Sequence, residues 1–334
     1  MASRAGVTIP TASKALNQRS DVSAATRQRV LEAVAALGYV KARRPSTQLP
    51  PSTGLVHLVV SSLHGTFHQL VLSGVETVAS DSDLDVVVVL GSAEASEIRD
   101  DHGRDWVQRL VDHPSDGAVL ALMQPDDEQR DRLAAAAIPW VLLDPRHELH
   151  HPAPSVGATN WLGGHAVATH LIEFGHRRIG VLGGQSEELF TAARIDGFRS
   201  ALSAGGVELD ADQVRYAAWN RDAAEQTANE LIERTGCTAI FACSDDMAFG
   251  VIQAARRRGL RVPADLSVVG FDDLPEARWC YPPLTTVRQP IEAMAAEALR
   301  MVLRMRRGEQ LLAGRVELPT ALVVRQSSGP APSR

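Results

Sequence analysis

Residues 238–273, TAIFACSDDMAFGVIQAARRRGLRVPADLSVVGFDD, hold two short apolar runs, TAIFAC at 238–243 and LSVVGFDD at 266–273, on either side of a helical stretch that starts near Asp245. A run apolar on both faces must be covered from both sides. Strand, helix and strand in that order therefore point to a parallel sheet with helices on each face. The same alternation extends towards the N-terminus through LVHLVV at 55–60, DVVVVL at 85–90, GAVLAL at 117–122, WVLLD at 140–144 and RIGVLGG at 178–184. Seven such units over roughly 270 residues exceed one compact sheet, so two similar subdomains with a cleft between them are expected. No repeat with a period of about 20–50 residues is evident.

The chain has 334 residues, 45% hydrophobic and 22% charged, which supports real cores and excludes disordered, collagenous and coiled-coil classes. Its three cysteines, Cys237, Cys243 and Cys280, form neither an even framework nor a C-x-x-C pair. A reducing compartment follows as the expectation, with no disulfide scaffold and no cysteine zinc site. No apolar run approaches the roughly 20 residues of a membrane span, and no basic-then-apolar leader is visible, so a cytoplasmic protein with no membrane partner is expected.

The net charge of −6 conceals a division. Residues 1–54 carry eight basic groups against Asp21 and Glu32, a net +6, and the other 280 residues carry −12. A small basic module on an acidic body points to a polyanion read by one end of the molecule. Within that module Met1–Ala5 reads as helical, Gly6 breaks it, and Thr8–Leu16 restarts with Thr8 as N-cap and Pro10 in the first turn. Ser23 caps a third helix whose apolar positions Val30, Leu31, Val34 and Leu37 share one face, and Gly38 supplies a stop. This is a helix-turn-helix layout over 1–40. Its second helix would set Thr8, Ile9, Pro10, Thr11, Ser13 and Lys14 on or near DNA, with Arg4 adding charge and Asn17 closing the helix on a phosphate. The bland alternative is a small helical cap that uses its hydroxyls for capping alone. Residues 41–54, KARRPSTQLPPSTG, are basic and then proline-rich, and read as a linker.

AGVTIPTASKALNQRSDVSAATRQRVLEAVAALGYV resembles the headpiece of the LacI (GalR–LacI) family of transcriptional regulators. The resemblance continues through FGHRRIGVLGG at 174–184, ARIDGFRSAL at 193–202, the stretch quoted first, and PPLTTVRQP at 282–290. It implies a helix-turn-helix headpiece on an α/β core of two doubly wound parallel-sheet subdomains like periplasmic sugar-binding proteins. It further implies a homodimer on a pseudo-palindromic double-stranded operator, expected to act as a repressor, with a small effector, most often a sugar, in the cleft. No cofactor or metal is implied. The core would run over 55–330, with an N-subdomain of about 55–158 plus 289–312 and a C-subdomain of about 159–288 plus 313–330. Ile9 and Pro10 occupy the positions that usually select operator bases, and Lys14 stands where the family has arginine. Ile9 can touch only a thymine methyl and Pro10 has no donor, so hydrogen-bonded readout would rest on Lys14 and Thr11.

Two departures follow from the same likeness. Met1 falls where the family has valine, with further residues before it, and five residues make little more than one helical turn. The natural start is therefore expected upstream. The linker lacks the family's Pro-Asn, and its minor-groove wedge position falls on Gln48 or Leu49. Two readings stay open: a short hinge helix begun at Pro45 and stopped by Pro50 and Pro51, or a flexible tether with Arg43 and Arg44 on phosphates. The polar end QSSGPAPSR shows no tetramerisation heptads, which favours a dimer.

Open parallel sheets bind ligands at the carboxyl ends of their strands, and sugars are held by an aromatic plate and by charged groups that each take two hydroxyls. Asp245 matches the family's ligand-binding aspartate, Asp246 reading as a helix-start charge. Arg194 matches a family arginine that reaches into the cleft, and Trp219 stands where an aromatic plate is common. His64 and Phe67 follow the first strand, and Asn160 and Trp161 follow the segment that crosses between subdomains, with packing or hinge roles as the alternatives for these four; Asp272 follows SVVGF and either binds ligand or holds the crossover loop. Enzyme signals are weak: GVLGG lacks the spacing of a dinucleotide fingerprint, no phosphate loop or hydrolase motif occurs, and HELHH at 147–151 has no further carboxylate at ligand spacing. A sugar-binding protein for uptake would need an export signal, and a dehydrogenase an acid–base pair.

Overall fold

The structure, a computed structural model, describes residues 52–91, 105–148 and 151–333, together with Val7, Thr26, Arg29 and Val30. The chain divides into two compact units, Met1–Pro50 and Pro51–Arg334. In the first, Thr26, Arg29 and Val30 are helical and Val30 is fully buried, as the helix expected after Ser23 requires at those positions. The DNA-facing candidates Arg4, Thr8, Ile9, Pro10, Thr11, Ser13, Lys14, Asn17, Arg43 and Arg44 lie outside the described residues.

The second unit begins with alternating strands and helices: β1 (Leu55–Val60), α1 (Thr66–Asp81), β2 (Asp85–Leu90), α2 (Trp106–Asp112), β3 (Ala118–Ala121), α3 (Asp127–Ala135), β4 (Trp140–Leu143) and β5 (Ser155–Ala158). The chain then crosses to a second lobe. There it forms α4 (Asn160–Glu173), β6 (Ile179–Gly183), α5 (Leu189–Ala204), β7 (Val214–Tyr216), α6 (Arg221–Thr235), β8 (Ala239–Ala242), α7 (Asp245–Arg257), β9 (Ser267–Asp272), α8 (Glu276–Trp279) and β10 (Thr285–Arg288). It returns as α9 (Ile291–Arg306) and β11 (Arg315–Leu318), and crosses again to β12 (Ala321–Val323). The first sheet has the order β11-β5-β4-β3-β1-β2 and is parallel throughout. The second, β12-β10-β9-β8-β6-β7, is parallel except for antiparallel β12.

Each sheet is covered on both faces, so each lobe has two apolar layers. α9 buries Met294, Leu299, Met301 and Val302 in the first lobe, each such side chain contributing about 1.5–3 kcal/mol. β2 departs from the expected two-faced burial: it is the sheet edge, and Val87 and Leu90 are exposed. α4 and α5 meet backbone to backbone at two glycines. A Cβ on Gly164 would lie 1.9 Å from the Arg194 carbonyl oxygen, and one on Gly197 1.9 Å from that of Trp161. This close approach sets the height of Asn160 and Arg194 beside the cleft.

The first two crossings between the lobes follow Ala158 and Arg288. The third lies later than the expected boundary at 313, because Arg315–Leu318 pairs with β5 and extends the first sheet. The polar C-terminal segment is also no simple tail. Ser327, Ser328 and Gly329 are buried in the second lobe: Ser327 Oγ donates to Val268 O at 2.6 Å, and the buried His176 ring is 3.0 Å from Gly329 O. At the other end, buried Asp116 accepts from Ser52 Oγ and from the Thr53 N–H and pairs with Arg306, which anchors the last linker residues to the first lobe. No helix among the described residues is long and apolar enough to cross a membrane.

Candidate ligand-binding cleft

A cavity of about 220 Å³ lies between the lobes at the carboxyl ends of the strands. The first lobe contributes Ser61 after β1, His64, Gly65, Phe67 and His68 at the start of α1, Leu122 after β3, and Asp144 and Arg146 after β4. The second contributes Glu188, Phe190 and Arg194 around the start of α5, Trp219 after β7, Ser244 and Asp246 at the start of α7, and Asp272 and Leu274 at the end of β9. Gln289, in the second crossing, closes the back. Leu122, Asp144 and Asp272 have φ of 53°, 48° and 124°, so strained backbone gathers where three strands deliver side chains to the cavity.

Of the candidates, His64, Phe67, Arg194, Trp219 and Asp272 line this cavity. Arg194 is buried: its Nε donates to Asn160 Oδ1 at 2.8 Å, its Nη1 to Cys243 O, and its guanidinium lies 3.8 Å above the Phe271 ring. Asn160 does not reach the cavity and instead supports Arg194, while its own amide donates to Ala158 O. Trp161 is 42% exposed and stacked on His165; with Asn160 it lines a separate pocket of about 150 Å³ beyond Asp144 and Phe190.

Asp245 is a correction. It faces the sheet, where Oδ2 accepts from the Leu274 N–H at 2.7 Å and Oδ1 from Thr286 Oγ1. Adjacent helix residues diverge by about 100°, so Asp246 is the one that faces the cavity, paired there with Arg221 at 2.9 Å. Burial holds the Asp245 carboxyl well above the usual carboxylate range, and the Asp272 charge adds to this.

Sequence reasoning missed Asp144, Arg146, Glu188, Phe190 and Gln289. Asp144 closes WVLLD, at the very strand end the topology rule marks, and was legible. Burial pushes its carboxyl up to about 6, with Arg194 and Arg315 pulling the other way. Asp272 is pushed up by burial to about 7, opposed by Arg194 and by the Gln289 amide, whose Nε2 donates to Oδ1 at 2.6 Å. The neighbouring Asp273 is turned away and held by Arg288 and Arg325. One guanidinium therefore serves two buried carboxyls that ionise near neutrality.

Three buried polar atoms of lining residues have no partner: His68 Nε2, Arg146 Nε and Gln289 Oε1. Such atoms are uncommon in folded proteins unless water, an ion or a ligand meets them. Phe67, Phe190 and Trp219 provide apolar surface beside them, the last two rings 5.6 Å apart. The arrangement offers donors, acceptors and ring faces together, which suits a compact molecule with many hydroxyls.

Comparison with known proteins bears on both units. The model of the bacterial regulatory proteins, lacI family, matches residues 1–41, and that of the periplasmic binding protein-like domain matches residues 168–328. The HTH-type transcriptional regulator CelR of Thermobifida fusca is 33% identical over 338 residues, covering 98% of this chain and 96% of its own. A solved structure of a transcriptional regulator CelR–cellobiose complex covers 98% of both chains with a TM-score of 0.74 and 32% identity. The lac repressor dimer bound to operator and the anti-inducer ONPF covers 98% of this chain and 97% of its own, with a TM-score of 0.70 and 27% identity.

Proposed function

The chain belongs to the LacI family of bacterial regulatory proteins, and from that membership we propose that its cleft is the receptor for a neutral carbohydrate whose binding changes operator affinity. The family is one of DNA-binding transcriptional regulators rather than enzymes. The observation that carries the carbohydrate reading is the set of unpartnered polar atoms beside aromatic rings, on a wall with two carboxyls and one shared arginine. The relative solved with cellobiose supports it.

In this reading the protein represses transcription in the cytoplasm as a homodimer. Thr8–Asn17 of each subunit enter a major groove, Ile9, Pro10 and Lys14 face the bases, and Arg4, Arg43 and Arg44 meet phosphates. The ligand acts by binding one lobe arrangement more tightly than the other, which shifts the populations that the linkers report to the headpieces. A thermal-shift panel of mono- and oligosaccharides on the full chain tests it. One saccharide is expected to stabilise by about 3 kcal/mol at a hundredfold excess over its Kd and to change operator affinity. If every saccharide is silent and a nucleobase or amino acid shifts the transition instead, the reading fails.

Trp279 and Tyr281 are 84% and 80% exposed on either side of Cys280, an aromatic pair of the kind that anchors protein interfaces. We assign to this face the second subunit of the dimer. Tyr281→Asp is expected to sediment as a monomer and to bind a two-half-site operator at least about tenfold more weakly, because the half-sites no longer reinforce one another. A variant that stays dimeric would place the interface elsewhere.

A further inference from the structure

Glu188 immediately precedes α5 and is 1% exposed, yet its side chain does not cap that helix. One oxygen, Oε1, accepts from Arg146 Nη2, which comes from the loop after β4 in the opposite lobe. The other, Oε2, accepts the Trp219 indole N–H at 2.7 Å and the Thr191 hydroxyl at 3.3 Å. A backbone bond runs beside the ion pair, from the Leu189 N–H to Arg146 O at 2.7 Å, so the two lobes are joined twice at this point. Trp219 has little freedom of its own: a Cβ on Gly184 would lie 2.0 Å from its ring carbons, so the indole rests directly on the glycine backbone.

From these contacts we infer that Glu188 is a positioning residue that couples the orientation of the Trp219 plate to closure of the two lobes, with Arg146 as the reporting group. If the lobes part, the Arg146 ion pair and the Leu189–Arg146 backbone bond are lost together, and the Glu188 carboxylate, no longer charge-paired, can turn from the Trp219 N–H towards water. A ligand that holds Trp219 in place therefore favours the state in which Arg146 is bound. The pairing also shapes selectivity. The indole N–H is occupied, so Trp219 offers only its ring face, whereas Arg146 Nε has no partner. The preferred ligand presents C–H groups to Trp219 and an acceptor oxygen to Arg146. This selectivity rests on the carbohydrate reading; the coupling does not.

The test uses full-length Arg146→Gln, Glu188→Gln and the double variant, each with and without Trp219→Phe, so that subtraction isolates the emission of Trp219. In the ligand-free protein, Arg146→Gln is expected to speed hydrogen exchange at the Leu189 amide by about tenfold or more and to shift Trp219 emission, although Arg146 makes no hydrogen bond to the indole. Glu188→Gln, which keeps an acceptor for Trp219, should do the same, and the double variant should go no further than either single one. With a saccharide from the panel, affinity should fall about fivefold to tenfold in each single variant. A residue that merely supports the start of α5 would leave Trp219 emission unchanged in Arg146→Gln. Unchanged Leu189 exchange and Trp219 emission in that variant overturn the coupling whether or not any saccharide binds. If the wild type binds no saccharide while both ligand-free signals move, the coupling stands and the carbohydrate reading falls.

Discussion

Arg194→Ala abolishes the response to ligand and lowers the melting temperature in the same protein: that is the expected result, and it follows from how many groups the guanidinium serves. It holds Asn160 Oδ1 and Cys243 O, lies over Phe271, and is the cation that opposes the raised pKa of both Asp144 and Asp272. Breaking a buried charge pair typically costs about 3–5 kcal/mol. The loss here should be smaller, because both carboxyls can take up a proton once the cation is gone. Arg194→Ala should therefore lose more stability at pH 8 than at pH 5.5, and bind saccharide at least about a hundredfold more weakly at either. Arg194→Lys should recover part of the stability but not the binding, since one ammonium cannot reproduce the planar fork. Binding within threefold of wild type in Arg194→Ala, measured by calorimetry, would remove Arg194 from the receptor.

The residues that the sequence made legible have two sources. His64 and Phe67 follow, and Asp272 ends, strands that the apolar runs marked, so the pattern that pointed to parallel sheets also pointed at them, whereas Arg194 and Trp219 came from the family likeness, the strand before Trp219 being too short to stand out. Asp245 shows where this logic stops. Two consecutive aspartates begin α7, and which one faces the cleft depends on helix phase set by Ser244, whose Oγ accepts from the Met247 N–H. The strands missed by pattern were short or polar. β10 is TTVR, and its Thr285 and Thr286 are fully buried only because their hydroxyls are satisfied by Arg325 N, Ser328 Oγ and Asp245. Glu188 had no local signal at all. Apart from Thr191, its partners Arg146 and Trp219 are 42 residues before it and 31 after it, and only the topology brings them together.

The second large effect separates function from stability. Asp272→Asn is expected to lose saccharide binding by about a hundredfold, because a neutral amide replaces a charged acceptor, yet to melt above the wild type at pH 8. The sign follows from linkage. The folded carboxyl titrates at about 7, well above the 3.8 of an unburied aspartate, so the stability linked to its protonation is complete below pH 4 and lost as the pH rises through 7. At pH 8 the wild type carries an ionised, buried carboxylate, and asparagine removes that cost while its Oδ1 still accepts from Gln289 Nε2. The main-chain strain at φ 124° is common to both residues, since asparagine and aspartate have the same branching at Cγ. The advantage should shrink as the pH falls from 7 towards 4. Wild-type affinity for saccharide should rise with pH through 6 to 7, with protons released on binding, as hydroxyl donors favour the ionised carboxyls of Asp144 and Asp272. In Asp272→Asn the part of that rise near 7 should vanish and the part near 6, due to Asp144, should remain. A variant less stable than wild type at pH 8, or a wild-type affinity that falls as the pH rises, would mean that the two carboxyls are not the strained, ligand-facing groups this cleft requires.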